Sequence, residues 1–79
     1  MTPLRKARLA KGWSLEDLGR KLESAGTSID TGNLSRVERG KQRASLGLAA
    51  SLASVFGKRS LTELHVLYPE RYMAREVAA

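Results

Sequence analysis

Apolar residues recur along most of the chain every three or four positions, which is the spacing of amphipathic helices. No stretch sustains the alternation of period two that marks a half-buried strand. The clearest run is Leu15, Leu18 and Leu22, which predicts a helix that is capped by Ser14 and ended by Gly26. The pattern therefore predicts an all-α fold.

Similar signals place one helix before this run and one after it. Residues 3–11 are predicted to form the first helix, because Pro3 suits a first helical turn and Gly12 suits the position behind the last. Asp30 is the expected N-cap of the third helix, since its carboxylate can accept from free backbone N–H groups. Gly40 is expected to end that helix.

Two further helices are predicted to begin directly after Ser45 and Ser60, because both residues can serve as N-caps. In the fifth helix, Leu61 and Leu64 are expected to cover the core. Pro69 interrupts the pattern, and a short last helix or tail is expected after it. The residues of the fourth helix that are expected to face inward are Leu46, Ala49, Leu52, Ala53 and Phe56.

A length of 79 residues allows one small domain. The five predicted helices form a compact bundle over residues 1–67, and residues 68–79 form a C-terminal tail that we interpret as a dimerisation extension. The absence of a signal-peptide core and of a long apolar run predicts a soluble, cytoplasmic protein with no membrane partner.

Positive charge is concentrated in the first half of the chain. Residues 1–43 carry ten Lys and Arg against five Asp and Glu, a balance of +5, whereas residues 44–79 carry four against three, a balance of +1. A one-sided basic field favours a polyanionic partner such as nucleic acid over a merely solvated surface. Bound to DNA, the protein would be associated with the nucleoid.

The residue types that carry most enzyme chemistry are scarce. The chain has no Cys and one His, so neither a disulfide nor a metal centre is expected. We find no Ser–His–Asp arrangement around His65 and no Gly-rich phosphate loop, so the sequence predicts neither an enzyme nor a bound cofactor.

The third helix has an apolar side and a polar, basic side. Leu34 and Val37 lie on the first. An ordinary amphipathic helix with a solvent-exposed polar face would share this pattern. Here, however, hydrogen-bond donors continue into the following loop, where they could contact a DNA phosphate. Arg and Asn can each bond a base edge in two places. The polar side and its flanks comprise Thr31, Gly32, Asn33, Ser35, Arg36 and Arg39, and the loop adds Lys41, Gln42 and Arg43.

Glu38 lies only about 40° from Leu34 on the helical wheel, so its side chain turns partly inward. A carboxylate in that position requires a partner. Arg8 on the first helix is the expected one. We therefore predict a partly buried ion pair that joins the first and third helices.

These features together resemble the Cro/CI-type helix-turn-helix family, also called the XRE family. The resemblance rests on Arg8 with Lys11-Gly12-Trp13-Ser14-Leu15-Glu16-Asp17-Leu18, on Leu34-Ser35-Arg36-Val37-Glu38-Arg39-Gly40-Lys41, and on Ser45-Leu46. It implies a bundle of the lambda-repressor-like type whose third helix enters the DNA major groove. On the family's pattern, bases face Thr31, Gly32, Asn33, Ser35 and Arg36, phosphates face Arg39, Lys41, Gln42 and Arg43, and Arg8 and Glu38 form the internal salt bridge.

Two features depart from the family's pattern. Leu15 stands where the family often has a phosphate-binding Gln, so the hydroxyl of Ser14 is expected to take over that contact. Residues 23–28 make the connection between the second and third helices unusually long. Either the second helix is extended or the connection bulges, and Thr27 and Ser28 are then expected to touch phosphate.

The C-terminal part has more apolar and aromatic residues than one face of a short bundle can bury. Aromatic side chains of this kind are typical of an interface core. We interpret them as the contact surface of a symmetric homodimer that presents two recognition helices to successive major grooves. The residues assigned to this interface are Val66, Leu67, Tyr68 and Tyr72.

The sequence thus predicts a transcriptional repressor of the phage or prophage type that binds a palindromic operator as a homodimer. A DNA-binding antitoxin is an alternative, in which the apolar tail would hold a toxin. A restriction–modification controller, which would activate as well as repress, is another. An antirepressor is a further expected protein partner of the repressor.

Overall fold

The computed structural model describes residues 1–72, and within them it contains five α-helices, one 3₁₀ turn and no strand. The predicted all-α fold of five helices is confirmed. Residues 73–79, most of the predicted tail, lie outside the described part of the chain. The elements are α1 (Pro3–Lys11), α2 (Leu15–Ser24), α3 (Thr31–Glu38), α4 (Leu46–Phe56), α5 (Glu63–Leu67) and the 3₁₀ turn Pro69–Arg71.

The first four helices begin at short polar side chains that accept a hydrogen bond from a free backbone N–H. Ser14, Asp30 and Ser45 were all predicted as N-caps, and each accepts from the backbone three residues on. Thr2, which the sequence pattern did not single out, does the same for Arg5 at the start of α1. At the end of α1, Gly12 adopts φ 75°, a left-handed conformation that favours glycine.

The start of α5 was predicted wrongly. The N-cap is Thr62, whose hydroxyl accepts from the N–H of His65, while Ser60 lies in the turn before it. The later start alters which residues of the helix face inward. Leu61 is fully buried as expected, but Leu64 is 51% exposed, so the expectation that Leu64 covers the core is wrong.

The fourth helix also has a different inward face from the predicted one. Leu46 is 75% exposed, and Leu48 is buried in its place. The helix sequence is apolar on nearly every side, so periodicity alone does not set its orientation. Contacts with the other helices set it. The buried hydrophobic core consists of Leu4, Ala7, Leu18, Leu22, Leu34, Val37, Ala44, Leu48, Ala49, Leu52, Phe56, Leu61 and Val66.

The connection between α2 and α3 is long because α2 ends early. The helix is not extended: it stops at Ser24, and Gly26 follows with φ 92°. The N–H of Thr27 then donates to the carbonyl of Leu22 at 2.9 Å, which satisfies one of the free carbonyls of the last turn. Ile29 packs against the core and leads the chain into α3.

Candidate nucleic-acid interface

The third helix is anchored by one face and leaves the other open. Leu34 and Val37 are buried, and α3 packs against α2. On the opposite side Thr31, Gly32 and Arg36 are exposed. The two remaining residues predicted to face bases, Asn33 and Ser35, are half-buried.

A chain of hydrogen bonds runs across this open face. The carboxylate of Asp30 accepts from the backbone N–H of Asn33 at 2.8 Å and from its side-chain Nδ2 at 2.9 Å. Asn33 Oδ1 accepts from Nη2 of Arg36. Arg36 Nε donates to Oε1 of Gln42 at 3.1 Å. We call Asp30, Asn33, Arg36 and Gln42 the polar chain of α3; it holds the Arg36 guanidinium in a fixed position.

Gly32 leaves room for this arrangement. A Cβ atom at position 32 would lie 3.1 Å from Asp30 Oδ1 and 3.8 Å from Arg36 Nη1. The first distance is tighter than an ordinary contact, so any larger residue would displace the carboxylate by a few tenths of an ångström. The absence of a side chain at Gly32 therefore leaves space for Asp30 and Arg36, and it would also allow the helix to come close to a DNA groove.

The residues expected to contact phosphate follow α3 in an exposed loop. Arg39 keeps its Nε near the carbonyl of Ser35 at 3.3 Å, and the N–H of Lys41 donates to the carbonyl of Arg36 at 2.8 Å. The loop backbone is thus tied to the helix it follows. Its exposed side chains are those of Arg39, Lys41, Gln42 and Arg43.

Arg43 differs from the others because its guanidinium is held by the C-terminal part of the chain. It donates to the carbonyl of Leu67, lies 3.6 Å from Oε1 of Glu70, and stands 5.8 Å from the ring centre of Tyr68. A phosphate contact by Arg43 would therefore compete with these partners.

The three hydroxyl residues assigned to phosphate are placed differently. Ser14 is exposed, and its Oγ accepts the N–H of Asp17 at 3.0 Å. Ser28 is also exposed. Thr27 is half-buried, and its hydroxyl is hydrogen-bonded to that of Ser51 on α4, so a phosphate contact by Thr27 stays a prediction.

The predicted pair between Arg8 and Glu38 is present and joins α1 to α3. Arg8 Nε donates to Oε2 of Glu38, and Nη2 donates to Oε1 at 3.0 Å. Arg8 also donates to the carbonyl of Trp13 at 2.7 Å. The hydrogen bond that Arg8 donates to the Glu38 carboxylate raises the pKa of the Arg8 guanidinium, because it favours the charged form.

The C-terminal residues assigned to a dimer interface do not share one environment. Val66 is 4% exposed and belongs to the chain's own core, so its assignment to an interface is wrong. Leu67 is half-buried against that core. Tyr68 and Tyr72 are 38% and 45% exposed, and Leu64, which was not assigned, is exposed beside them in sequence. The Tyr72 ring meets His65 edge-on, with 4.3 Å between the ring centres.

Two other kinds of feature are absent from residues 1–72. No group of three or more His, Asp or Glu side chains there is arranged to hold a metal ion. In the same residues, every helix is too short or too polar to cross a membrane.

Asp30 has a second role that the sequence did not predict. It was predicted as a cap, and it also orders the side chains of the open face. The signal was available in the sequence, because Asp30, Asn33 and Arg36 follow one another at three-residue intervals and so share one side of the helix.

An exposed polar helix face, held on a small helical core and followed by a basic loop, is the arrangement of a helix-turn-helix DNA-binding domain. A helix-turn-helix family model matches residues 4–64. The chain therefore belongs to the helix-turn-helix family of the Cro/CI (XRE) type, and it is a DNA-binding transcription regulator. Comparisons with curated proteins and with solved structures gave no match.

Proposed function

We propose that this protein is a sequence-specific transcriptional repressor that places α3 in the major groove of an operator. The observation that carries the proposal is the open face of α3: Gly32 and Arg36 are exposed opposite the buried Leu34, and Thr31 is exposed beside them at the N-terminal end of the helix. Arginine at such a position is the commonest specific reader of guanine. Asn33 and Ser35, which the sequence predicts to face bases, lie half-buried beside them on α3.

The proposed backbone contacts surround that face. Arg39, Lys41 and Gln42 follow α3 in the exposed loop, and Ser14 is exposed at the N-cap of α2. Backbone contacts of this kind fix the orientation of a protein on DNA, while base contacts supply the sequence preference. Ser28 is exposed and can join them; Arg43 joins them only by leaving the carbonyl of Leu67.

We further propose that the repressor acts as a homodimer on a palindromic site. The support is the group of exposed apolar side chains near the C-terminal end, Leu64, Tyr68 and Tyr72. Two copies joined there would place their recognition helices in grooves roughly 34 Å apart, or a multiple of that, on one side of the duplex.

Footprinting on the DNA that flanks the protein's own gene tests the proposal. The expected result is protection of a palindromic sequence that overlaps the promoter, with an affinity that falls steeply as salt is raised. Equal affinity for the flanking DNA and for random DNA of the same length would overturn it. Transcription from the protected promoter should fall when the protein is added.

The exposed apolar group also fits a second function, that of a DNA-binding antitoxin whose C-terminal part holds a toxin. A reading frame of toxin size beside the gene, whose product co-purifies with this protein, would support that function. A divergent promoter without such a reading frame would support the repressor.

A further inference from the structure

The guanidinium of Arg36 is bound along one edge and free along the other. Its Nε donates to Gln42 Oε1 at 3.1 Å, and its Nη2 donates to Asn33 Oδ1. Three of the five N–H groups of an arginine then remain, both on Nη1 and the second on Nη2. One N–H of Nη1 and the remaining one of Nη2 point in parallel from the end of the planar group, where they can donate to two acceptors at once.

The amide of Asn33 has both of its functional atoms engaged inside the protein. Nδ2 donates to Asp30 Oδ2 at 2.9 Å, and Oδ1 accepts from Arg36. An asparagine that reads adenine needs an acceptor and a donor facing the base at the same time. The bonds to Asp30 and Arg36 hold the Asn33 amide in one orientation, so turning it toward a base would withdraw its support from Arg36.

Asp30 anchors the whole arrangement to the helix backbone. One of its carboxylate oxygens is held by the N–H of Asn33 at 2.8 Å, while the other holds the Asn33 side chain. A Cβ on Gly32 would press against that first oxygen at 3.1 Å. The helix backbone thus orients the Asp30 carboxylate, the carboxylate orients the Asn33 amide, and the amide orients the Arg36 guanidinium.

We propose that Arg36 reads a guanine through the free end of its guanidinium, and that Asp30, Asn33 and Gln42 are positioning residues for it. The O6 and N7 atoms of guanine offer two adjacent acceptors in the major groove, which match two parallel N–H donors. Holding the long side chain in place before binding reduces the entropy lost on complex formation. This inference rests on the proposed function, because it assumes that α3 reads DNA.

Binding sites selected from random DNA by the wild-type protein provide the test, followed by affinities for every single-base change in the selected site. Arg36→Ala should abolish the preference for guanine at one position, a loss of about tenfold or more. Asn33→Ala and Gln42→Ala should each weaken the guanine preference at that same position by at least about twofold. Neither should have a further effect there when Arg36 is already alanine.

Ser54→Ala is the control, since Ser54 is exposed on α4 and lies outside both the proposed DNA contacts and the polar chain of α3. It should leave the guanine preference at the Arg36 position unchanged. Thermal unfolding checks that each variant remains folded, and Gln42 lies outside the helices, so its variant does not depend on helix stability.

Two results would overturn the inference: loss of an adenine preference at a different position in Asn33→Ala, or an unchanged guanine preference in both positioning variants. A wild-type protein that selects no sequence at all would instead contradict the proposed function itself. The two failures are therefore distinguishable in one experiment.

Discussion

Arg8 and Glu38 form a two-bonded ion pair between α1 and α3, with side chains that are only 11% and 4% exposed. Glu38 is also held through its backbone, because its carbonyl accepts from the hydroxyl of the buried Thr2. The end of α3 is thus tied twice to the N-terminal part of the chain. The orientation of α3 on the core depends on these contacts as well as on apolar packing.

Replacing Glu38 by alanine should destabilise the protein by about 3–5 kcal/mol, because the largely buried guanidinium of Arg8 would lose its counter-charge. The free energy of unfolding, measured by urea denaturation, gives the value. Glu23→Ala removes an exposed carboxylate from α2 and should change stability by no more than about 0.5 kcal/mol. A loss as small as that in Glu38→Ala would show that the pair contributes nothing to the fold.

Leu34→Ala should destabilise the protein by about 2–5 kcal/mol, since Leu34 is fully buried and its truncation leaves a cavity under α3. Leu46→Ala is the matched control: the same substitution at a residue that is mostly exposed on α4. Its effect on the unfolding free energy should stay within about 0.5 kcal/mol. Equal losses at the two positions would contradict the observed orientation of α4.

The helix starts that depend on local chemistry could be predicted from the sequence. Ser14, Asp30 and Ser45 cap their helices through bonds to residues three positions on, so their neighbours in sequence suffice. The start of α5 could not be predicted in the same way, because Ser60 and Thr62 are both capping types. Leu61 lies between them, and only its burial in the core places the N-cap at Thr62.

In the candidate site, too, some contacts could be predicted from the sequence and others could not. The Arg8–Glu38 pair was predictable, because helical geometry turns one charge inward and leaves few partners within reach. The bond between Arg36 and Gln42 joins a helix to a loop and depends on the loop's path. The same holds for Arg43, whose partners lie 24 and 27 residues further along the chain, at Leu67 and Glu70. No short-range pattern carries that information.

Lys41→Ala should weaken binding to all DNA sequences alike, because an exposed lysine after α3 supplies charge to the phosphate backbone and no base contact. The slope of log K against log salt concentration should become shallower by about one. Lys58→Ala is the control, since it removes the same charge from the exposed turn between α4 and α5. A salt slope that both variants change equally would show that Lys41 acts only through net charge.

Leu64→Asp should shift the proposed homodimer toward monomer, because it places a charge among the exposed apolar side chains of the C-terminal part. Sedimentation at tens of micromolar measures the mass, and binding to full and half operators measures the consequence. The full-site affinity should fall while the half-site affinity stays the same. Leu9→Asp, at a similarly exposed leucine on α1, should leave the mass unchanged. A wild-type protein that is monomeric both free and on DNA would refute the dimer.

The capping box of α2 should make stability depend on pH in the acid range. The backbone N–H of Ser14 donates to Asp17 Oδ2 at 3.0 Å, and this bond is the main cause that lowers the pKa of the Asp17 carboxyl below its ordinary value of 3.8. Because the pKa is lower in the folded state, the stabilisation is fully present above the ordinary value. It is lost as pH falls through the folded-state value.

Asp17→Asn should therefore be less stable than the wild type at neutral pH, and the difference should shrink below about pH 4, where the wild-type carboxylate also loses its charge. Urea denaturation at a series of pH values measures both curves. Glu16→Gln removes a charge from the same turn without touching the capping bond, so its difference from the wild type isolates the general effect of charge at a helix N-terminus. A gap between Asp17→Asn and the wild type that stays constant down to pH 2 would mean that the ionised carboxylate is not what stabilises this end of α2.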